Sequence, residues 1–196
     1  ANIAKEIGIE MMPCELWEGQ HFVTHRFDRQ NNQKQHVLTA SGLTGWDYQN
    51  PEDSSYENLF KLAIALKIPL SELQQLFRRM TFNVAFNNID DHLKNHSFMY
   101  HYETYKWHLA PAYDLTYALN PKLKFNKVSR ALSINGKREH IQRQDLLKIA
   151  ELFNIDDAET IIKEVTSGQT LWSELAFKHH ISAPLIAIIQ QQMVVL

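Results

Sequence analysis

Apolar positions recur at helical spacing over much of this chain and alternate over only a few short stretches. Leu73, Leu76, Phe77, Met80 and Val84 lie on one face of a helix, and Ser71 followed by Gln74 predicts a capping box at its start. Upstream, from Tyr56, the residues Leu59, Leu62 and Leu66 share a second helical face. "PCELWEGQHFVTHRF" alternates around Glu18-Gly19 and reads as a hairpin. The polar stretch "DRQNNQKQHVLTASGLTGWDYQNPEDSS" has weak periodicity and predicts a loop with one short helix. "SFMYHYETYKWHLA" predicts two aromatic-rich strands around a turn, and "SINGKR" carries an Asn135-Gly136 turn. Helices are expected at about 141–153, 157–167, 170–180 and 183–194. For the second, Asp156 and Glu159 suggest a capping box and Gly168 a stop; the last is entered through Ser182 and Pro184. The expected class is α+β, mainly helical, with an N-terminal hairpin and a small β insertion.

The helix over Leu73–Val84 runs directly into "NNIDDHLKNH", residues 87–96, which holds two carboxylates, two imidazoles, a lysine and three asparagines. Asp90 precedes Asn95 by five positions, and Asp114 follows the strand pair in "LAPAYDLTY". Phosphoryl transfer from ATP uses such a set: one carboxylate orients the attacking hydroxyl, while an amide oxygen and a second carboxylate hold Mg²⁺ against the phosphates. The protein-kinase catalytic loop has the same Asp-to-Asn offset. Two other readings compete. His92 and His96, at i and i+4 beside two aspartates, are candidate zinc ligands, although HExxH is absent and the helix is expected to end before His92. Polar residues at a helix end also occur without any chemistry.

Composition narrows the classes. The chain has 196 residues, 44% of them hydrophobic, which suffices for one sizeable core. A formal net charge of −2 offers no bulk basic field for DNA or an anionic membrane. Cys14 is the only cysteine, so an intrachain disulfide and a cysteine-based zinc site are both excluded, and a reducing cytoplasm is the expected location. No apolar run is long enough to span a bilayer. Ala1 opens in what reads as mid-helix, so a fragment of a longer protein is expected.

"FNNIDDHLKNHSFMY" with "WHLAPAYDLTYAL" resembles the C-terminal lobe of HipA-family serine/threonine kinases, the toxin halves of bacterial toxin–antitoxin pairs. The family signature is met at Asn88, Asp90, His92, Asn95, Ser97, Pro111, Tyr113 and Asp114, and "HFVTHRFDR" looks like the family's hinge strand. The resemblance implies a protein-kinase-like C-lobe, with residues 1–29 a remnant of the N-lobe and hinge and residues 30–196 the helical lobe. It implies Asp90 as catalytic base, and Asn95 and Asp114 as Mg²⁺ ligands. Phe27 and Asp28 would sit near the adenine and ribose of ATP, and His92 is placed with them on the nucleotide side, its role open. The implied partners are a small DNA-binding antitoxin of the HipB type, through which DNA contact is indirect, and a protein substrate for which an aminoacyl-tRNA synthetase is the known type. No membrane partner is implied. No glycine-rich phosphate loop or ATP-clamping lysine precedes the hairpin, so the chain is expected to be inactive alone. The competing class is a non-catalytic module that binds the antitoxin.

Four further features carry expectations. Lys122, Lys124, Lys127, Arg130, Lys137 and Arg138 form a basic stretch facing either substrate or solvent. One of Arg78 and Arg79 should brace the motif and the other be exposed. Trp107, Trp172 and Phe177 are expected in the core, and His179-His180 at a solvated helix end.

Overall fold

A computed structural model describes residues 1–118 and 129–196. After a short helix, α1 (Asn2–Glu6), the alternating stretch forms the antiparallel hairpin of β1 (Cys14–Trp17) and β2 (His21–Thr24), with Leu16 opposite Phe22. Its turn places Glu18 and Gly19 at φ 53° and 69°, the left-handed pair that a tight hairpin requires. Both strands are largely exposed.

The polar stretch holds more structure than a loop with one helix. A second hairpin, β3 (Arg29–Gln30) and β4 (Gln33–Lys34), turns through Asn31 and Asn32, both left-handed. Next comes β5 (His36–Thr39), and then the expected short helix, α2 (Ala40–Thr44), capped by the Thr39 hydroxyl, which accepts the Gly42 N–H. Two-residue strands are too short to show alternation. β5 is held by a partner 62 residues away, Val37 lying opposite Met99, and such long-range pairing leaves little local signal.

The helical body follows. α3 (Tyr56–Ala65) is capped by Ser55, and α4 (Leu70–Ala85) buries Leu73, Leu76, Phe77, Met80 and Val84 as the periodicity demands. The Ser71/Gln74 capping box does not form: α4 starts after Pro69, and Gln74 reaches across to Asp157. Glu72 is drawn away too, its carboxylate accepting the Leu109 N–H at 2.6 Å and meeting His108 Nδ1 at 2.7 Å. This ties the start of α4 to the sheet of β5, β6 (Ser97–His101) and β7 (Lys106–Leu109), ordered β5-β6-β7.

Asn135 and Gly136 make the expected turn at φ 51° and 71°. α5 (Arg143–Phe153) carries the reciprocal capping box, between Gln142 and Asp145. α6 (Ala158–Ser167) has none; Glu159 pairs with Arg143 instead of closing a box with Asp156. Gly168 follows the last residue of α6, as expected of a stop, but as a close-approach glycine: its φ is −60°, and a Cβ there would lie 2.6 Å from Ile7 Cγ2. The chain continues through a 3₁₀ turn into α7 (Trp172–Lys178) and then α8 (Ala183–Gln191), with Pro184 in its first turn.

The core centres on α4, packed against α3 and α6, with Phe60 of α3 stacked on Phe153 of α5 at 4.9 Å. Trp107 and Trp172 are partly buried, but Phe177 is exposed, contrary to expectation, because α7 is short and buries only Ala176. His179 and His180 are solvated at the end of α7, as expected. Among the described residues no helix is long and apolar enough to cross a membrane.

Candidate active site

α4 ends at Ala85 with Phe86 as its cap, and Asn87, at φ 52°, turns the chain out of the helix into the motif. Asparagine tolerates this left-handed conformation better than most residues. The motif is then non-helical as far as the 3₁₀ turn Leu93–Asn95. Its two adjacent carboxylates part company. The Asp90 side chain is 65% exposed, whereas Asp91 is buried and fully bonded. Asp91 accepts the Tyr56 hydroxyl at 2.8 Å and Arg130 Nη2 at 3.1 Å on one oxygen, and the Leu132 N–H on the other. Arg130 also donates to the Asn88 carbonyl, and the Ala131 N–H to the Ile89 carbonyl. The segment around Arg130 therefore clamps the loop from below and leaves Asp90 free on its outer side.

Asn95 connects the three residues expected to do the chemistry. Its Nδ2 donates to the Asp90 backbone carbonyl at 2.9 Å and to Asp114 Oδ2 at 2.6 Å. Asp114 sits at φ 53°, and its carbonyl accepts the Asn88 side-chain amide. Beside it, the Tyr113 hydroxyl bonds to the Lys94 carbonyl at 2.7 Å and to Ser97 Oγ at 2.5 Å, fastening the Asp114 segment to the motif. Asp114 and Asn95, 19 residues apart, are thus brought into contact at the surface. Both carry hard oxygen donors, a set that suits Mg²⁺.

The other expected residues lie nearby. Phe27 stacks on Tyr113 at 5.7 Å, and the two line a cavity of about 130 Å³ with Met12, Thr24, His25 and Ala112. Asp28 also borders this cavity, but its carboxylate is held by Arg26 (2.5 and 2.8 Å) and Arg29 (3.1 Å). The hydrogen bond from Arg26 holds its pKa below the usual carboxylate range. His92 Nε2 lies 3.9 Å from Asp90 Oδ1, with its ring edge against Tyr48.

His96 is buried beneath the loop, edge-on to Tyr56. With the motif non-helical, His92 and His96 do not share a helix face as an i, i+4 zinc pair would. Burial pushes the His96 pKa down to about 4 from 6.5. The unfolded chain then binds more protons than the folded one between those values. The neutral ring's contribution is complete above about pH 6.5 and is lost as the pH falls toward 4, up to about 3 kcal/mol in all. Chemical denaturation of wild type and His96→Gln between pH 4.5 and 7 should therefore show a steeper acid loss in the wild type. Equal slopes would contradict a buried neutral ring.

Arg79 is the residue that braces: its Nη1 donates to the Ala110 carbonyl at 2.7 Å, just before Asp114. Arg78, however, is not free in solvent; it donates to the Ile7 carbonyl and pairs with Glu164 at 2.6 Å. The basic stretch also reads differently. Arg130 is buried, Arg138 donates to the carbonyls of Arg130, Ala131, Pro51 and Ser54, and Lys137 pairs with Asp145. Lys122, Lys124 and Lys127 lie outside the described residues. Tyr56, Asp91 and Arg130, which organise the loop, were not singled out as a group from the sequence, and no local spacing links them.

A family model, the HipA-like C-terminal domain, matches residues 1–172. A curated protein of Haemophilus influenzae (strain ATCC 51907 / DSM 11121 / KW20 / Rd) named "Putative kinase" is 30% identical over 157 residues, covering 70% of this chain and 45% of that protein. Among solved structures, the chain superimposes with a TM-score of 0.74 on one from Shewanella oneidensis MR-1, described as a toxin–antitoxin complex of HipA, HipB and its operator DNA. That match is 19% identical and covers 97% of this chain and 51% of the other. The chain thus spans about half the length of these relatives. With its family model matched over most of its length and the motif assembled in space, the chain belongs to the HipA-like C-terminal domain family.

Proposed function

We propose that this chain is the catalytic and metal-binding lobe of a toxin kinase that transfers the γ-phosphoryl of ATP to a protein serine or threonine. The observation that carries the reading is the Asn95–Asp114 contact at 2.6 Å, with exposed Asp90 tied to the same amide through its backbone. In this reading Asp90 accepts the proton of the attacking hydroxyl. Asn95 keeps the Asp90 backbone in place, and His92, 3.9 Å from the Asp90 carboxylate, orients it. Asn95 and Asp114 would hold Mg²⁺, whose chemistry is to neutralise the phosphate oxygens and position them in line. The Phe27–Tyr113 cavity, next in sequence to Asp114, offers an apolar face for adenine. Asp28 reaches the ribose once it gives up one of its arginine contacts. Residues 1–29 form the hinge side and residues 30–196 the lobe proper.

The family and the relative named as a kinase support transfer chemistry, and the HipA–HipB–DNA neighbour supports a HipB-type antitoxin as partner, with DNA contact indirect. An aminoacyl-tRNA synthetase is the proposed type of substrate, and the cytoplasm the proposed site of action. The full-length protein with Mg²⁺ and labelled ATP should place phosphate on serine or threonine of such a substrate; antitoxin binding without any transfer would favour a non-catalytic module. Residues 1–196 alone should show no useful turnover, since no glycine-rich loop or clamping lysine in this sequence holds the γ-phosphate. Efficient Mg²⁺-dependent phosphorylation by the isolated lobe would contradict that division of labour.

A further inference from the structure

Beneath the Asn95–Asp114 pair, three buried side chains line one small cavity and leave polar atoms without a hydrogen-bond partner among the described residues. Arg79, from α4, is 4% exposed; its Nη1 serves Ala110, but Nε and Nη2 are unpartnered. Asn88 is 2% exposed; its nitrogen donates to Asn83 and to the Asp114 carbonyl, while Oδ1 accepts nothing. His96 is 4% exposed and leaves its ring Nε2 without a partner. An unsatisfied buried group of this kind costs about 1–3 kcal/mol. Three around a single cavity imply a shared ligand.

The chemistry of the lining selects that ligand. Arg79 presents only donors and Asn88 Oδ1 only an acceptor, while the neutral His96 Nε2 takes either part. A halide would bond to the guanidinium but face the lone pairs of Asn88 Oδ1, and a cation would meet the guanidinium charge. The cavity, about 10 Å³, is at the lower bound for a single water and too small for a polyatomic anion. Water alone both accepts from Arg79 and donates to Asn88 Oδ1, and it meets His96 Nε2 in either sense. We propose that one ordered water occupies this cavity, cross-linking Arg79 on α4 to both ends of the motif, Asn88 and His96, directly under Asn95 and Asp114. Because the same Asn88 amide bonds the Asp114 carbonyl, the water and Arg79 position the metal-binding aspartate. That positioning role rests on the kinase reading; the water itself does not.

A crystal structure of the full-length protein at a resolution that orders solvent tests the site without reference to activity. One water peak about 2.7–3.2 Å from Arg79, Asn88 and His96 is expected. A dry cavity, or anomalous signal there after a bromide soak, would overturn the water. In the same protein, Arg79→Lys keeps the charge but loses the forked donors, so half-saturation by Mg²⁺ in the kinase assay should rise several-fold while that for the protein substrate holds. An unchanged Mg²⁺ titration would overturn the positioning role. Were no transfer detectable at all, the kinase reading would fail while the crystallographic result still decided the water.

Discussion

Arg130→Ala in the full-length protein is expected to lose about 3–5 kcal/mol of folding stability, because it leaves the Asp91 carboxylate buried without its cation. Asp91 and Arg130 are both essentially inaccessible, and the pair also carries Tyr56 and the Asn88 carbonyl. A loss of that size is a large share of a typical domain's 5–15 kcal/mol or so. The same pair replaced by apolar residues, Asp91→Leu with Arg130→Met, should recover much of the loss, since no unpaired charge then remains. Chemical denaturation of the two variants distinguishes the cases. If Arg130→Ala melted within about 1 kcal/mol of the wild type, the clamp would not hold the loop.

The opposite pattern is expected at the surface carboxylates. Asp90→Asn and Asp114→Asn each remove charge from an exposed position and no core volume, so folding stability should change by about 0.5 kcal/mol or less. Phosphoryl transfer by the full-length protein should fall by about a thousandfold or more in each. The two losses should differ in kind. Asp90→Asn keeps Asn95 and Asp114 and therefore nucleotide affinity, whereas Asp114→Asn weakens Mg²⁺-dependent binding itself. Kinase assays read alongside calorimetric titration separate them, and either variant keeping near-wild-type turnover would refute its assigned role.

These two predictions rest on neighbours in sequence, Asp90 and Asp91, and they mark where sequence reading stopped. The apolar stripe of α4, the Glu18-Gly19 hairpin and the Asn135-Gly136 turn were legible because each is encoded within a few residues. The Asp90-to-Asn95 offset is local in the same way, and the structure bonds the Asn95 amide to the Asp90 backbone carbonyl and to the Asp114 carboxylate. Which aspartate faces solvent was not legible, because Tyr56 and Arg130 decide it from 35 and 39 residues away. The two expected capping boxes failed for a related cause: Gln74 and Glu159 found partners far along the chain, Asp157 and Arg143, in place of the local bond. β5 escaped notice because its register comes from β6 and not from its own pattern.

Calorimetric titration of the full-length protein with a non-hydrolysable ATP analogue, with and without Mg²⁺, tests the central reading most directly. Binding should strengthen at least tenfold with Mg²⁺, and Asp114→Asn should abolish that gain while His96→Gln leaves it within a few-fold. Nucleotide binding indifferent to Mg²⁺, or a Mg²⁺ gain that survives Asp114→Asn intact, would contradict it.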